Sequence, residues 1–135
     1  MKRHENFWDR NARFYEYFMR KDRKVYEKMY ELIRPIVKDK EVLELATGTG
    51  MIAKNTVHTA KYIEATGASA RMIAEAKRNS CPIKLNFSVQ DIFDLPDTSQ
   101  TFDVVIVANA LHIVQQPKKA LAEIRRVLKD DGGTL

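Results

Sequence analysis

Apolar residues recur at helical spacing through the first part of the chain, and the period changes near residue 41. Between residues 5 and 34, Trp8, Ala12, Tyr15, Phe18 and Met19 fall on one helical face. Asp22 is placed to cap a second helix carrying Val25, Tyr26, Met29, Tyr30 and Ile33, which Pro35 should end. From Glu41 short apolar runs alternate with helical ones. "EVLELA" (41–46) reads as a strand, then a glycine turn, then the helical "MIAKNTVHTA". "KYIEAT" (61–66) is a second strand and "SARMIAEAKRN" (69–79) a helix. "IKLNFSV" (83–89) alternates cleanly as a third strand, and "DIFDLPDTSQT" follows as a polar loop. "FDVVIVAN" (102–109), apolar on both faces, reads as a central parallel strand. "PKKALAEIRRVLK" (117–129) is an amphipathic helix, after which "DDGGTL" turns toward a fifth strand.

Strands alternating with helices predict an α/β fold with right-handed βαβ units and a doubly wound, mostly parallel sheet. The ligand crevice of such a sheet lies beyond the carboxyl ends of its strands. The change of period divides the chain into an N-terminal helical lid or cap (1–40) and an α/β core (41–135). There are no internal repeats and no low-complexity segments.

With 135 residues the chain fits one domain able to bury a core. Its net charge of +5 is a mild basic bias that nucleic acid or an anionic surface could use. Acidic residues are interspersed throughout, so solvated helix surfaces are the plainer reading. Cys81 is the single cysteine, which excludes an intrachain disulfide and a CxxC metal site. His4, His58 and His112 lack metal-ligand spacing, so no metal is expected. "MKRHENFWDR" has no apolar run behind it, and no segment has the length of a membrane span, so the cytoplasm is the expected location.

The sharpest motif is "ELATGTG", Glu44 to Gly50, at the end of the first strand. Glycines there let backbone approach a ligand. Gly48-Thr-Gly50-Met-Ile-Ala53 also fits the GxGxxA dinucleotide fingerprint. Glu44 discriminates, because a pyrophosphate gains nothing from a neighbouring carboxylate whereas a cationic ligand does.

"VLELATGTG", "ASARMIAEAK", "QDIFDLP", "FDVVIVANALHIV" and "LAEIRRVLKDDGG" occur in this order over about the last 95 residues. On these elements the chain resembles the class I S-adenosylmethionine-dependent methyltransferases, most nearly the small-molecule enzymes of the ubiquinone/menaquinone biosynthesis type. The resemblance implies a Rossmann-like methyltransferase fold, S-adenosylmethionine as cofactor and S-adenosylhomocysteine as product. Glu44 would engage the ligand's amino group. Ala46, Thr47, Gly48 and Gly50 form the turn against which the methionine moiety would lie. Met72 would pack beside the adenosine. Asp91 and the Ile92 N–H would read the adenine edge, and Asn109, Ala110 and Leu111 would line the floor near the reacting methyl. Plainer roles stand beside these: Glu44 as a cap for local N–H groups, Met72 as core, Asp91 as a loop-starting residue, Thr47 and Thr49 as turn residues.

Three features depart from the family pattern. Ala46 replaces the first glycine of the usual triplet, one methyl and a mild change. In "EATGASARM" the ribose-binding acid falls on Gly67. Glu64 is no substitute, since it lies roughly 10 Å down the strand and points to the opposite face. Each charge-assisted hydrogen bond lost should cost about 1.5–3 kcal/mol, partly recovered by water. That predicts binding weaker by about ten- to a few hundredfold. The third departure is that the sequence ends where a fifth of seven family strands would begin. The expectation is a fragment, or a homo-oligomer that completes the sheet edge, which a stable monomer in ultracentrifugation would exclude.

The expected activity is methyl transfer to a small-molecule acceptor, with His112 the candidate base if the acceptor must lose a proton. The rival is a non-catalytic scaffold that binds an adenosyl ligand weakly or serves protein association. A nicotinamide dinucleotide protein lacks its acid at the same Gly67. "NALH" is not the aromatic motif of base-amino methyltransferases, so nucleic acid is not the expected partner.

Overall fold

The computed structural model describes residues 23–78, 83–96, 99–107 and 116–130. The first predicted helix, Asp22, Cys81, residues 109–112 and the predicted fifth strand lie outside the described residues.

Helix α1 (Arg23–Val37) leads through a short turn into β1 (Glu41–Leu45). There follow α2 (Met51–Thr56), β2 (Tyr62–Gly67), α3 (Ala70–Lys77), β3 (Leu85–Val89), β4 (Val104–Val107) and α4 (Pro117–Val127). The sheet order is β3-β2-β1-β4, with every pairing parallel. The order reverses between β1 and β4, and this switch point is where an open α/β sheet takes its ligand.

Strand parity divides the core into two layers. On one face Val42, Ile63, Ala65, Leu85, Phe87 and Val104 pack with Val37 of α1, Ala53 of α2 and Ile73 and Ala76 of α3. On the other, Leu43, Leu45 and Val105 pack with Phe102, Leu95 and Ile124 and Val127 of α4. Both faces of β1 are therefore covered, which explains a strand as apolar as "EVLEL".

Several boundaries differ from the sequence pattern; α2, for one, stops at Thr56 rather than running to Ala60. Pro35 does not end α1, which runs on to Val37. Proline removes one helical hydrogen bond there, but Val37 is fully buried, and that contact holds the last turn. β3 begins at Leu85 because Ile83 and Lys84 lie in a turn that reaches β2 only through Lys84 O, which accepts from Ile63 N–H at 2.8 Å, and Ile83 is 98% exposed. β2 extends one residue further than predicted, so Gly67 is a paired strand residue opposite Val89.

Candidate functional site

The carboxyl end of β1 carries the site. Glu44 follows Val42 on the face covered by α1–α3 and pairs in register with Ala65 and Ile106. It is 1% exposed, and its carboxyl accepts a hydrogen bond from Thr47 Oγ1 at 2.5 Å. Burial pushes its pKa from 4.5 up to about 8, against the smaller opposing effect of the Thr47 hydroxyl. Burial thus favours the neutral form of Glu44, whose hydrogen-bond partner is the neutral Thr47 hydroxyl. A cation placed beside it would favour the charged form.

The turn after β1 is held by backbone. Thr47 N–H donates to Thr66 O at 2.8 Å, Gly50 N–H to Thr47 O at 3.0 Å, and Thr66 Oγ1 to Glu44 O at 3.0 Å. Ala46, Gly48 and Gly50 all have positive φ, at 54°, 63° and 85°. Ala46 is therefore more than an extra methyl, since an L-residue in the left-handed region costs about 1–2 kcal/mol. The sequence reading of a mild change is corrected on this point. Gly50 has a packing reason as well: an added Cβ would meet Phe87 Cε1 and Cζ at 2.6 Å. The helix it caps, α2, is only six residues long.

Gly67 closes β2 on the same face as Ile63 and Ala65. A Cβ there would lie 3.6 Å from Ile73 Cδ1 and 4.0 Å from Thr47 Cγ2, which is ordinary contact, and its φ is not in the left-handed region. Nothing in the backbone requires glycine. Glu64 faces the other side, where Tyr62 Oη, Asn86 Nδ2 and Ser88 Oγ donate to it at 2.7, 2.8 and 2.6 Å. It is committed there and cannot stand in for an acid at position 67.

Met72 lies buried in the first turn of α3, its N–H donating to the capping Ser69 Oγ at 3.1 Å. Asp91 is exposed just after β3 and accepts from Phe93 N–H at 2.9 Å, the local turn role that its neighbours made plausible. Ile92 is half-buried against the second core layer. The loop is anchored further on: Leu95 N–H donates to Glu123 at 2.7 Å, and Arg126 Nη2 donates to Leu95 O at 2.8 Å. Arg126 Nε also binds Glu123 at 3.0 Å, and these hydrogen bonds hold the Glu123 carboxyl below its ordinary value. Arg126→Ala should cost about 1–3 kcal/mol, read as a lower urea midpoint, because it unties the Asp91–Leu95 loop from α4. The structure brings Glu44, Ala46, Thr47, Gly48, Gly50, Gly67 and Met72 to one end of β1 and β2. Asn109, Ala110 and His112 lie outside the described residues. Sequence reasoning missed Thr66 and Phe87 because their partners are distant along the chain.

The family model for a methyltransferase domain matches residues 42–132, two-thirds of the chain. The chain belongs to the class I S-adenosylmethionine-dependent methyltransferase family. The domain is 34% identical over 113 residues to the demethylmenaquinone methyltransferase of Thermotoga maritima, covering 82% of this chain and 48% of that protein. The chain thus spans about half the length of that curated relative. The DhpI–SAH complex superposes with a TM-score of 0.79 at 28% identity, covering 94% of this chain and 62% of that one. The [4+2]-cyclase SpnF shares the fold at a TM-score of 0.68 and 24% identity, covering 78% of this chain and 42% of SpnF. One fold therefore hosts different chemistries, and function has to be argued from the site. Among the described residues no helix is long and apolar enough to cross a membrane.

Proposed function

We propose that this methyltransferase domain binds S-adenosylmethionine at the carboxyl ends of β1 and β2 and serves methyl transfer to a small-molecule acceptor. The observation that carries the reading is Glu44: a fully buried acid with its pKa raised to about 8, at the switch point of the sheet. Burying an acid there is costly unless a ligand cation meets it. When bound, the cofactor supplies an electrophilic sulfonium methyl for in-line transfer.

The chain's residues divide the work of holding it. Glu44 takes the ligand ammonium and gives up its own proton, so binding near pH 7 releases protons. Ala46, Thr47, Gly48 and Gly50 present the turn to the methionine moiety. Met72 packs beside the adenosine, while Asp91 and the Ile92 N–H meet the adenine edge. Gly67 stands where the ribose would lie and leaves its hydroxyls to water, which makes the binder weak. Residues 1–40 act as the cap, Asn109 and Ala110 line the floor, and His112 is the base if the acceptor needs one. A demethylmenaquinone-like acceptor is supported by the name of the Thermotoga maritima relative, demethylmenaquinone methyltransferase.

Incubation with methyl-labelled S-adenosylmethionine and demethylmenaquinone tests the reading. Label in the quinone supports it. Binding with no transfer to any acceptor would instead leave a non-catalytic scaffold.

A further inference from the structure

Helix α1 carries two apolar faces, and the sheet uses one of them. Tyr30 and Val37 are buried, and Ile33 packs beside them on the layer containing Val42. Val25, Met29, Leu32 and Ile36 recur in steps of four, three and four. That spacing lines them up on a second stripe, roughly 100° around the helix from the first. Val25 is 63% exposed, Leu32 62% and Ile36 50%, with Met29 half-buried between them. Lys24 and Lys28, exposed and one turn apart, border the stripe on the side away from the sheet. Glu27 and Glu31 lie further round.

Aliphatic side chains in a row beside lysines form the pattern of a helix lying in a membrane interface. The apolar residues sink below the headgroups, and the lysine stems run over them to the phosphates. Other occupants fit less well. A stable protein interface, with a second copy included, takes about 20 residues a side, and the stripe offers four. Nucleic acid would use the lysines and leave Val25, Leu32 and Ile36 in water.

The acceptor agrees with this surface. A demethylmenaquinone-like quinone is apolar and dissolves in a bilayer, not in water. α1 enters β1 through a tight turn, Lys40 N–H donating to Val37 O at 3.0 Å, so helix and strand run in opposite directions. Tyr30 accordingly lies within the field of Glu44, at the carboxyl end of β1. Val25, more than a turn further, sits at the end where the crevice opens, and a bilayer along the stripe meets the site at its rim.

We propose that α1 docks the domain on an anionic lipid bilayer, with Val25, Leu32 and Ile36 entering the acyl boundary and Lys24 and Lys28 meeting headgroup phosphates. The acceptor then passes from bilayer to crevice, a step that rests on the methyl-transfer reading above.

Co-sedimentation of the chain with vesicles tests the docking. One set is phosphatidylcholine alone, the other phosphatidylcholine mixed equally with phosphatidylglycerol. The parent should pellet with the anionic set, and less so as salt is raised. Lys24→Gln with Lys28→Gln should weaken that binding about ten- to thirtyfold. Leu32→Gln with Ile36→Gln should weaken it at least about tenfold. The melting temperature of the second variant should hold, because both side chains are already exposed. Absence of pelleting by the parent, or pelleting that ignores the Leu32 and Ile36 changes, overturns the proposal. So does a dimer in ultracentrifugation that those changes split, or a lower melting temperature in that variant. The stripe would then be covered by a second copy in the first case and by residues 1–22 in the other. Vesicle binding with no label reaching the quinone retires the acceptor and leaves the docking surface standing. Label reaching detergent-dispersed quinone without vesicle binding does the reverse.

Discussion

Gly50→Ala should destabilise the chain by about 2–5 kcal/mol. Two costs add. The residue sits at φ 85°, where an L-residue is disfavoured by about 1–2 kcal/mol. Its new Cβ would press on two carbons of the Phe87 ring at 2.6 Å and on Ala76 Cβ at 3.3 Å. Overpacking of this kind costs about 1–3 kcal/mol. The ring cannot yield easily, being buried on β3 within the layer that also holds Ala76 and Ile73. Urea denaturation checks the prediction, and a Phe87→Leu background separates the two costs. There the clash is relieved and the backbone cost remains. A Gly50→Ala protein as stable as the parent would mean that the turn does not pack on Phe87.

The second large effect is a dependence of stability on pH that one residue dominates. Glu44 has an ordinary value of 4.5 when unfolded and about 8 when folded. Below pH 4.5 both states hold the proton, and the group's contribution is fully present. Between those values the folded state keeps a proton that the unfolded state has lost, so stability falls as pH rises. Above about 8 both are ionised and the loss levels off. The total is roughly 3–5 kcal/mol. Glu44→Gln keeps an acceptor for the Thr47 hydroxyl but has nothing to titrate, so its stability should be nearly flat over that window. Chemical denaturation from pH 5 to pH 9 checks this. An equally steep loss in the variant would assign the effect elsewhere.

The order of strands and helices was legible because each element has its own period, and the parallel sheet followed from their alternation. Glu44 and the glycine turn were legible because they are contiguous. What escaped the sequence depends on contacts between distant segments. Gly50 is fixed partly by Phe87, 37 positions away, which no local motif encodes. The left-handed backbone at Ala46 is invisible in a residue type that rarely adopts it. Pro35 obeys the burial of Val37 rather than its own propensity. Tyr30 was readable as part of an apolar helix face, but that its hydroxyl lacks a partner among the described residues emerges only when the helix is laid on the sheet. Gly67 is the converse case. The sequence marked the missing acid, and the structure adds that a side chain would fit.

The most direct test of the central claim is calorimetric titration of the chain with S-adenosylhomocysteine beside a Gly67→Asp variant. Weak binding by the parent, strengthened at least about tenfold by the aspartate, is the predicted result. It would place the ribose at the end of β2 and the ligand across the Glu44 turn. Absence of binding in both proteins would contradict the account.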